Sequence, residues 1–338
     1  MRSALKARTL GKSGPTVSAL GLGAMGMSDF YGPADRTESI ATLKTALDEG
    51  ITLIDTGDFY GSGHNELLVA EALRGRRRDD VVLSVKFGAL RDPRGAFIGV
   101  DLRPAAIRNF LAYSLKRLDT DHIDIYRPAR MPPGTNVEEV VGTLAQLVKE
   151  GFIRHIGLSE VGADTLRRAA AVHPIVDLQI EYSLASRGIE ADILPTARKL
   201  GIGITAYGVL SRGLLSGHWT PERALAQGDF RAHSPRFSGS NLAKNLGLVE
   251  ALRQVARRKG ITVAQAAIAW VLSRGDDIVP LIGARTRERL DEALGAAEVT
   301  LTASELDEIA RAVPAEAVAG DRYPDHAMRD LDSERARR

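Results

Sequence analysis

The chain has 338 residues, and its 45 Lys+Arg against 43 Asp+Glu give a formal net charge of +2, which argues against a dedicated nucleic-acid binder. It has no cysteine, which removes disulfides, thiolate-held zinc, iron–sulfur clusters and thiol nucleophiles together. With 44% hydrophobic and 26% charged residues, no apolar run near the roughly 20 residues of a membrane helix and no apolar signal region behind residues 1–6, the expectation is a globular, cytoplasmic protein with no membrane partner.

In chain order, short β-branched runs alternate with helical stretches. The turn at residues 11–15 between 8–10 and 17–18 reads as a small hairpin. Eight strands are then predicted, at 19–23, 52–55, 81–86, 123–126, 153–158, 176–180, 203–206 and 278–282. Several are continuous apolar runs, as parallel strands covered on both faces should be. Helices are predicted at 37–49, 65–74, 137–150 and 190–200, closing at Gly50, Gly75, Gly151 and Gly201. Others are predicted at 104–118 opened by Pro104, 163–172 stopped by Pro174, 263–274 after the cap Thr262, and 286–294.

Eight strand–helix units in roughly 300 residues is the count of an α/β (β/α)8 TIM barrel. It predicts one domain over residues 1–338, with a doubly wound sheet as the competitor. Outside the count stand the N-terminal hairpin and two extra helices, 246–259 and 303–312. A long loop follows strand seven over 214–242, and a loose tail runs over 314–338 with its last residues, 333–338, disordered.

Gly21-Leu-Gly-Ala-Met-Gly26 matches the dinucleotide fingerprint G-x-G-x-x-G, but Gly32-Pro33 follows and no helix opens at once, so close packing of backbone explains these glycines better. Asp55 ends one apolar strand, Tyr60 follows in a Gly-rich loop, and Lys86 ends the next strand. In a barrel, strand C-termini build the active site. Asp55 and Lys86 on adjacent strand ends form either a catalytic pair or a structural ion pair beside an unrelated tyrosine.

Together these segments resemble the aldo-keto reductase family across residues 8–312. The matching residues are Gly21 to Gly26, Asp55 to Glu66, Lys86, residues 151–160 ending in Ser159-Glu160, residues 179–183 starting at Gln179, Ala206-Tyr207, Ser211-Arg212-Gly213, and Gly283 to Glu292. The resemblance implies the barrel, an NADPH (NADP) cofactor held without a Rossmann domain, and reduction of a small-molecule aldehyde or ketone. It makes Tyr60 the proton donor, Lys86 the ammonium that lowers the phenol pKa, and Asp55 the holder of Lys86. It puts Ser159, Glu160 and Gln179 at the nicotinamide carboxamide, where the usual residue at the second position is Asn, so Glu160 is a departure. Tyr207 would stack on the nicotinamide ring or simply pack the barrel. Gly23, Met25, Gly208, Leu210, Arg212, Gly213 and Gly283 complete the implied cofactor set, Arg212 against the bridging phosphates. Arg285 and Arg289 would clamp the 2′-phosphate and Glu292 the adenine amino group, with Ala293 where the family often has Asn. A solvated charged face is the other reading of that segment.

The pattern breaks at the family's tetrad histidine, which falls on Ala129 beside Pro128. None of His64, His122 and His155 substitutes for it. Arg127 or Arg130 bracket the vacancy and would supply the lost hydrogen bond to substrate. Candidate substrate contacts are Phe30, Tyr31, Phe59, Tyr60, Phe87, Arg127, Ala129, Met131 and Trp219. The leading expectation is an NADPH-dependent carbonyl reductase of apolar or aromatic substrates, weakened or re-specialised by the missing imidazole. The alternative is an NADPH-binding regulatory or redox-sensing protein with weak catalysis. A metal-dependent hydrolase would need strand-end histidines, which the sequence lacks, so no metal is expected. Assembly as a homo-oligomer stays open.

Overall fold

Eight parallel strands close into a barrel in the computed structural model, which describes residues 4–337. They are β1 (Gly21–Gly23), β2 (Leu53–Gly57), β3 (Val82–Phe87), β4 (Ile123–Pro128), β5 (Ile153–Ser159), β6 (Ile175–Glu181), β7 (Gly203–Tyr207) and β8 (Ile278–Ile282). Each strand pairs with its chain neighbours and β8 closes on β1. The surrounding helices are α1 (Arg36–Asp48), α2 (His64–Leu73), α3 (Pro104–Leu118), α4 (Val137–Lys149), α5 (Ala163–Val172), α6 (Ile193–Leu200), α7 (Gly239–Lys259), α8 (Val263–Leu272), α9 (Arg287–Leu294), α10 (Ala303–Ala312) and α11 (Asp325–Arg329). None is long and apolar enough to cross a membrane among the described residues.

Strand alternation sorts the core into layers. One set of side chains, among them Ile54, Leu83, Tyr126, Ile156 and Leu178, faces the helices and forms the main core. The other set faces inward. At the bottom of the cylinder, Leu53, Ile125, Val176, Val279 and Leu281 meet Leu10 and Val17, so the hairpin Ala7–Thr9/Thr16–Ser18 plugs that end. Each such buried side chain contributes roughly 1.5–3 kcal/mol. Nearer the top the inward positions turn polar, at Asp55, Ser84, Lys86, Arg127, Asp177, Gln179 and Thr205, all buried. Gly157 makes room for this: a Cβ there would lie 2.5 Å from Asp177 Oδ1 and 3.3 Å from Arg127 Cζ.

The predicted strands all occur, most running one or two residues further at their C-terminal ends. Three segments differ from expectation. The stretch after β7 is folded, with one-turn helices at Ser211–Ser216, Phe230–His233 and Pro235–Phe237, and α7 begins at Gly239 because Leu214, Leu215 and Phe237 bury themselves against the barrel. A second hairpin, Ala89–Arg91 with Phe97–Val100, rises after β3. The tail is not loose: Arg322, Met328 and Leu331 are buried, and Ser333 hydrogen-bonds to Glu160. Residue 338 of that tail lies outside the described residues.

Candidate active site

β2 and β3 pair with Asp55 opposite Ser84 and Gly57 opposite Lys86, which points the carboxylate and the ammonium into the same end of the cylinder. Lys86 Nζ donates to Asp55 Oδ1 and, at 2.9 Å, to Gln179 Oε1. Gln179 Nε2 returns a bond to Asp55 Oδ2 at 2.7 Å, and Ser84 donates to the same oxygen at 2.7 Å. The same ammonium lies 5.2 Å from the centroid of the Tyr60 ring. Burial pushes the Lys86 pKa down, against the pull of Asp55. A closed triangle of Asp55, Lys86 and Gln179 thus sits directly against the tyrosine.

Tyr60 is buried in a small apolar group with Phe59 and Ala129, against which Met25 and Phe30 pack. Phe30 stands edge-on to Tyr60 at 6.1 Å, and Phe97 contacts both Phe30 and Phe59. Phe97 comes from the hairpin after β3, which carried no strand signal. Burial first and Asp55 second drive the Tyr60 phenol well above its ordinary value, and Arg130 is the first cation that opposes them. The phenol of the free protein thus favours its protonated form, the form from which a proton can be given.

Arg130 is half-buried just past β4. Its Nη1 donates to Ala129 O at 2.6 Å and its Nη2 to Tyr323 Oη at 3.3 Å. Tyr323 and Tyr207 share a hydrogen bond of 3.0 Å, and Tyr207 donates to Glu160 Oε1 at 2.7 Å. With the hydrogen of Tyr207 committed to Glu160, Tyr323 is the donor between the two phenols. Tyr323 belongs to the tail and had no signal in the sequence.

Five expected contacts lie elsewhere. Phe87 faces outward, fully buried and stacked on Tyr126 at 4.1 Å, because it alternates with the inward Lys86. Arg127 is fully buried below the mouth, bonded to Asp177 at 2.9 Å and Ser84 Oγ at 2.8 Å, beyond reach of a substrate. Met131 lines a separate cavity of about 560 Å³ bounded by Asn136, Arg168 and Arg335. Trp219 packs on Phe237 beneath Arg223 and Arg231, away from the tyrosine's apolar group. Tyr31 likewise sits under Arg231, its pKa pushed up to about 12 chiefly by burial.

The implied cofactor residues divide by what already engages them. Glu160 accepts from both terminal nitrogens of Arg322, from Tyr207, from Ser333 and from the Glu181 amide. Burial raises its pKa, but Arg322 overrides this and holds the carboxyl well below its usual range. By contrast, Ser159 Oγ and Arg212 Nη1 are buried with no hydrogen-bond partner among the described residues. Gly208, Ser211, Arg212 and Gly213 all have positive φ, so this turn after β7 leaves Leu210 half-buried and Arg212 facing the mouth. For the non-glycine residues Ser211 and Arg212 such strain costs about 1–3 kcal/mol each, and it gathers at functional sites. Arg285 is occupied by the carbonyls of Tyr31, Gly32 and Pro33. Arg289 and Glu292 pair with each other and with His218, and Gly283 is exposed beside them. Gly23 lies opposite Asp55 in the β1–β2 pairing.

Residues 19–314 match the aldo/keto reductase family. A probable aldo-keto reductase of Glycine max is 42% identical over 93% of this chain and 90% of its own. Among solved structures, the glycerol dehydrogenase of Gluconobacter oxydans superposes with a TM-score of 0.82 at 30% identity, over 93% of this chain and 97% of that one. A Bacillus halodurans aldo-keto reductase in its holo form gives 0.75 at 28% identity, over 92% and 97% of the two chains.

Proposed function

The chain belongs to the aldo-keto reductase family and is an oxidoreductase acting on carbonyl compounds, and we propose that it uses Tyr60 as proton donor and NADPH as reductant. The observation that carries this is the Asp55–Lys86–Gln179 triangle set against the Tyr60 ring, with Lys86 Nζ 5.2 Å from its centroid. Nothing in a merely structural ion pair requires a buried phenol beside it.

The residues suit a nicotinamide dinucleotide in part. Ser159 Oγ and Arg212 Nη1 are buried polar groups still lacking partners, the kind that a carboxamide and a phosphate satisfy. Glu160 does not suit it, since Arg322, Tyr207 and Ser333 fill its oxygens. When bound there, a reduced nicotinamide would supply the hydride for the carbonyl carbon. The chain does the rest. Tyr60, held protonated by burial and Asp55, gives its phenolic proton to the carbonyl oxygen as negative charge develops there. Lys86 lies close to the tyrosinate left behind and stabilises it, while Asp55 and Gln179 hold the ammonium in place. Phe30, Phe59 and the half-exposed Phe97 form an aromatic group beside Tyr60. This lining supports a substrate with an apolar or aromatic body.

Steady-state reduction of 4-nitrobenzaldehyde and other aldehydes, with dinucleotide titration followed by tryptophan fluorescence, tests the reading. Tyr60→Phe should lose about 10²–10⁴-fold in turnover and bind NADPH as before. A Tyr60→Phe enzyme as fast as the parent would remove Tyr60 from the chemistry.

A further inference from the structure

Among the described residues, the five buried arginines of the barrel mouth and interior each have an acid. Arg127 pairs with Asp177, Arg212 and Arg236 with Glu181, Arg231 with Asp229, and Arg322 with Glu160. Arg130 breaks the rule. Among the described residues no carboxylate lies within ion-pairing distance of it, and its hydrogen bonds go to a carbonyl, Ala129 O, and to a phenol, Tyr323 Oη. A guanidinium has five N–H donors, so several of its hydrogens remain for another acceptor. Glu160 acts on it only from beyond ion-pairing distance, past Tyr207 and Tyr323, so no carboxylate fills the remaining donors of its fork.

Its position identifies where that acceptor arises. Ala129, whose carbonyl Arg130 holds, packs its methyl against Phe59 and Tyr60. The backbone fixes this arrangement, with Ala129 N bonded to Phe87 O at 2.8 Å. The guanidinium is therefore tied to the backbone of a small residue that packs beside the tyrosine. Tyr323 holds the far side of the fork. It in turn is fixed by Tyr207 and by Arg322, the next residue, which is clamped on Glu160.

We propose that Arg130 is a catalytic residue that donates a hydrogen bond to the substrate carbonyl oxygen beside Tyr60, and that Tyr323 is the positioning residue that holds its guanidinium there. The inference rests on Tyr60 being the proton donor. Arg130 makes and breaks no covalent bond. It stabilises the oxygen while the hydride adds to carbon and the C=O π pair moves onto oxygen, and the proton comes from Tyr60. The electrostatic coupling of Arg130 to the phenol agrees with this placement.

The test uses 4-nitrobenzaldehyde for turnover and benzoate, a carboxylate that imitates the charged oxygen, for binding to the enzyme loaded with oxidised NADP. Arg130→Ala should lose about 10²-fold in kcat/KM, the scale of one lost oxyanion donor. It should bind NADP unchanged, bind benzoate at least ten-fold more weakly, and regain turnover when free guanidinium ion is added. Arg130→Lys should fall between. Tyr323→Phe should lower kcat several-fold with little change in KM. If Arg130→Ala and Arg130→Lys keep parental kcat/KM and benzoate affinity while Tyr60→Phe is inactive, this inference fails and the reading of Tyr60 stands. If Tyr60→Phe is itself fully active, that reading fails first. Loss of activity in Arg130→Ala with unchanged benzoate binding and no guanidinium rescue would also overturn the proposal, because it marks a structural role.

Discussion

Arg322 donates through both terminal nitrogens to the carboxylate of Glu160, at 2.8 and 2.6 Å, across a sequence separation of 162 residues. Both side chains are buried, and Glu160 holds a positive φ of 53° to meet it. This contact fastens the C-terminal segment across the barrel mouth and carries Tyr323 to Arg130. Removing the arginine strands a buried carboxylate, which costs about 3–5 kcal/mol. Arg322→Met should lower the unfolding free energy by that order and expose residues 319–335 to hydrogen exchange and proteolysis. Unchanged protection of the segment would show that its apolar contacts, Met328 and Leu331, suffice to hold it.

The Arg127–Asp177 pair is a second buried ion pair with a different logic. Both side chains are fully buried at 2.9 Å; Arg127 also donates to Ser84 and Asp177 accepts from Thr205, while Arg127 Nε and Asp177 Oδ1 have no hydrogen-bond partner among the described residues. Arg127→Met alone should destabilise by about 3–5 kcal/mol, since Asp177 is left charged in the barrel. Adding Asp177→Leu should recover much of that loss, because two apolar groups then replace two desolvated charges. Urea unfolding of the two variants checks this. A double variant no more stable than the single would locate the cost in packing around Gly157 rather than in the orphaned charge.

The barrel was legible because its strands are apolar runs closed by glycine-capped helices, and the catalytic candidates because Asp55, Lys86 and Gln179 interrupt such runs near their C-terminal ends. What sequence reasoning missed has a physical cause in each case. Strand parity separates Lys86 from Phe87 and turns the latter outward, a one-residue distinction that bounds of 81–86 left unused. The same register points Arg127 into the barrel, leaving Arg130, beyond the strand, as the cation at the mouth. The tail looked loose because its composition is polar and charged and its order comes from Glu160, far away in the chain. Phe97 lies between turn residues in a short exposed hairpin, so no local pattern announced its contact with Phe30.

Asp58, three residues after Asp55, should give the stability of the molecule a pH slope. Burial first, then Glu66, pushes its carboxyl up to about 8, with Arg117 opposing. An unfolded aspartate releases its proton near ~4. Between those values the folded chain keeps a proton that the unfolded chain has lost, so this group makes stability fall as pH rises from about 4 to about 8 and leaves it level above that. Asp58→Asn removes the slope. The variant's stability relative to the parent should therefore grow across that window, to on the order of a few kcal/mol by pH 8.5. Urea midpoints at pH 5 and pH 8.5 decide it, and a pH-independent difference between the two proteins would mean that Asp58 ionises normally.

Discrimination between phosphorylated and unphosphorylated dinucleotides should rest on Arg289 rather than Arg285. The Arg285 guanidinium is taken up by the carbonyls of Tyr31, Gly32 and Pro33, which tie the loop after β1 to the start of α9. Arg289 is 42% exposed and its partner His218 is exposed to a similar degree, so it can turn from Glu292 toward a phosphate. A charge-assisted hydrogen bond at such an exposed place is worth about ten-fold in affinity. Arg289→Ala should therefore weaken NADPH binding about ten-fold and leave NADH unaltered. Arg285→Ala should weaken both dinucleotides together, because it loosens the loop and not a phosphate contact. Fluorescence titration of each variant with both dinucleotides separates the roles, and equal losses for NADPH and NADH in Arg289→Ala would place the discriminating cation elsewhere, with Arg223 above Trp219 next in line.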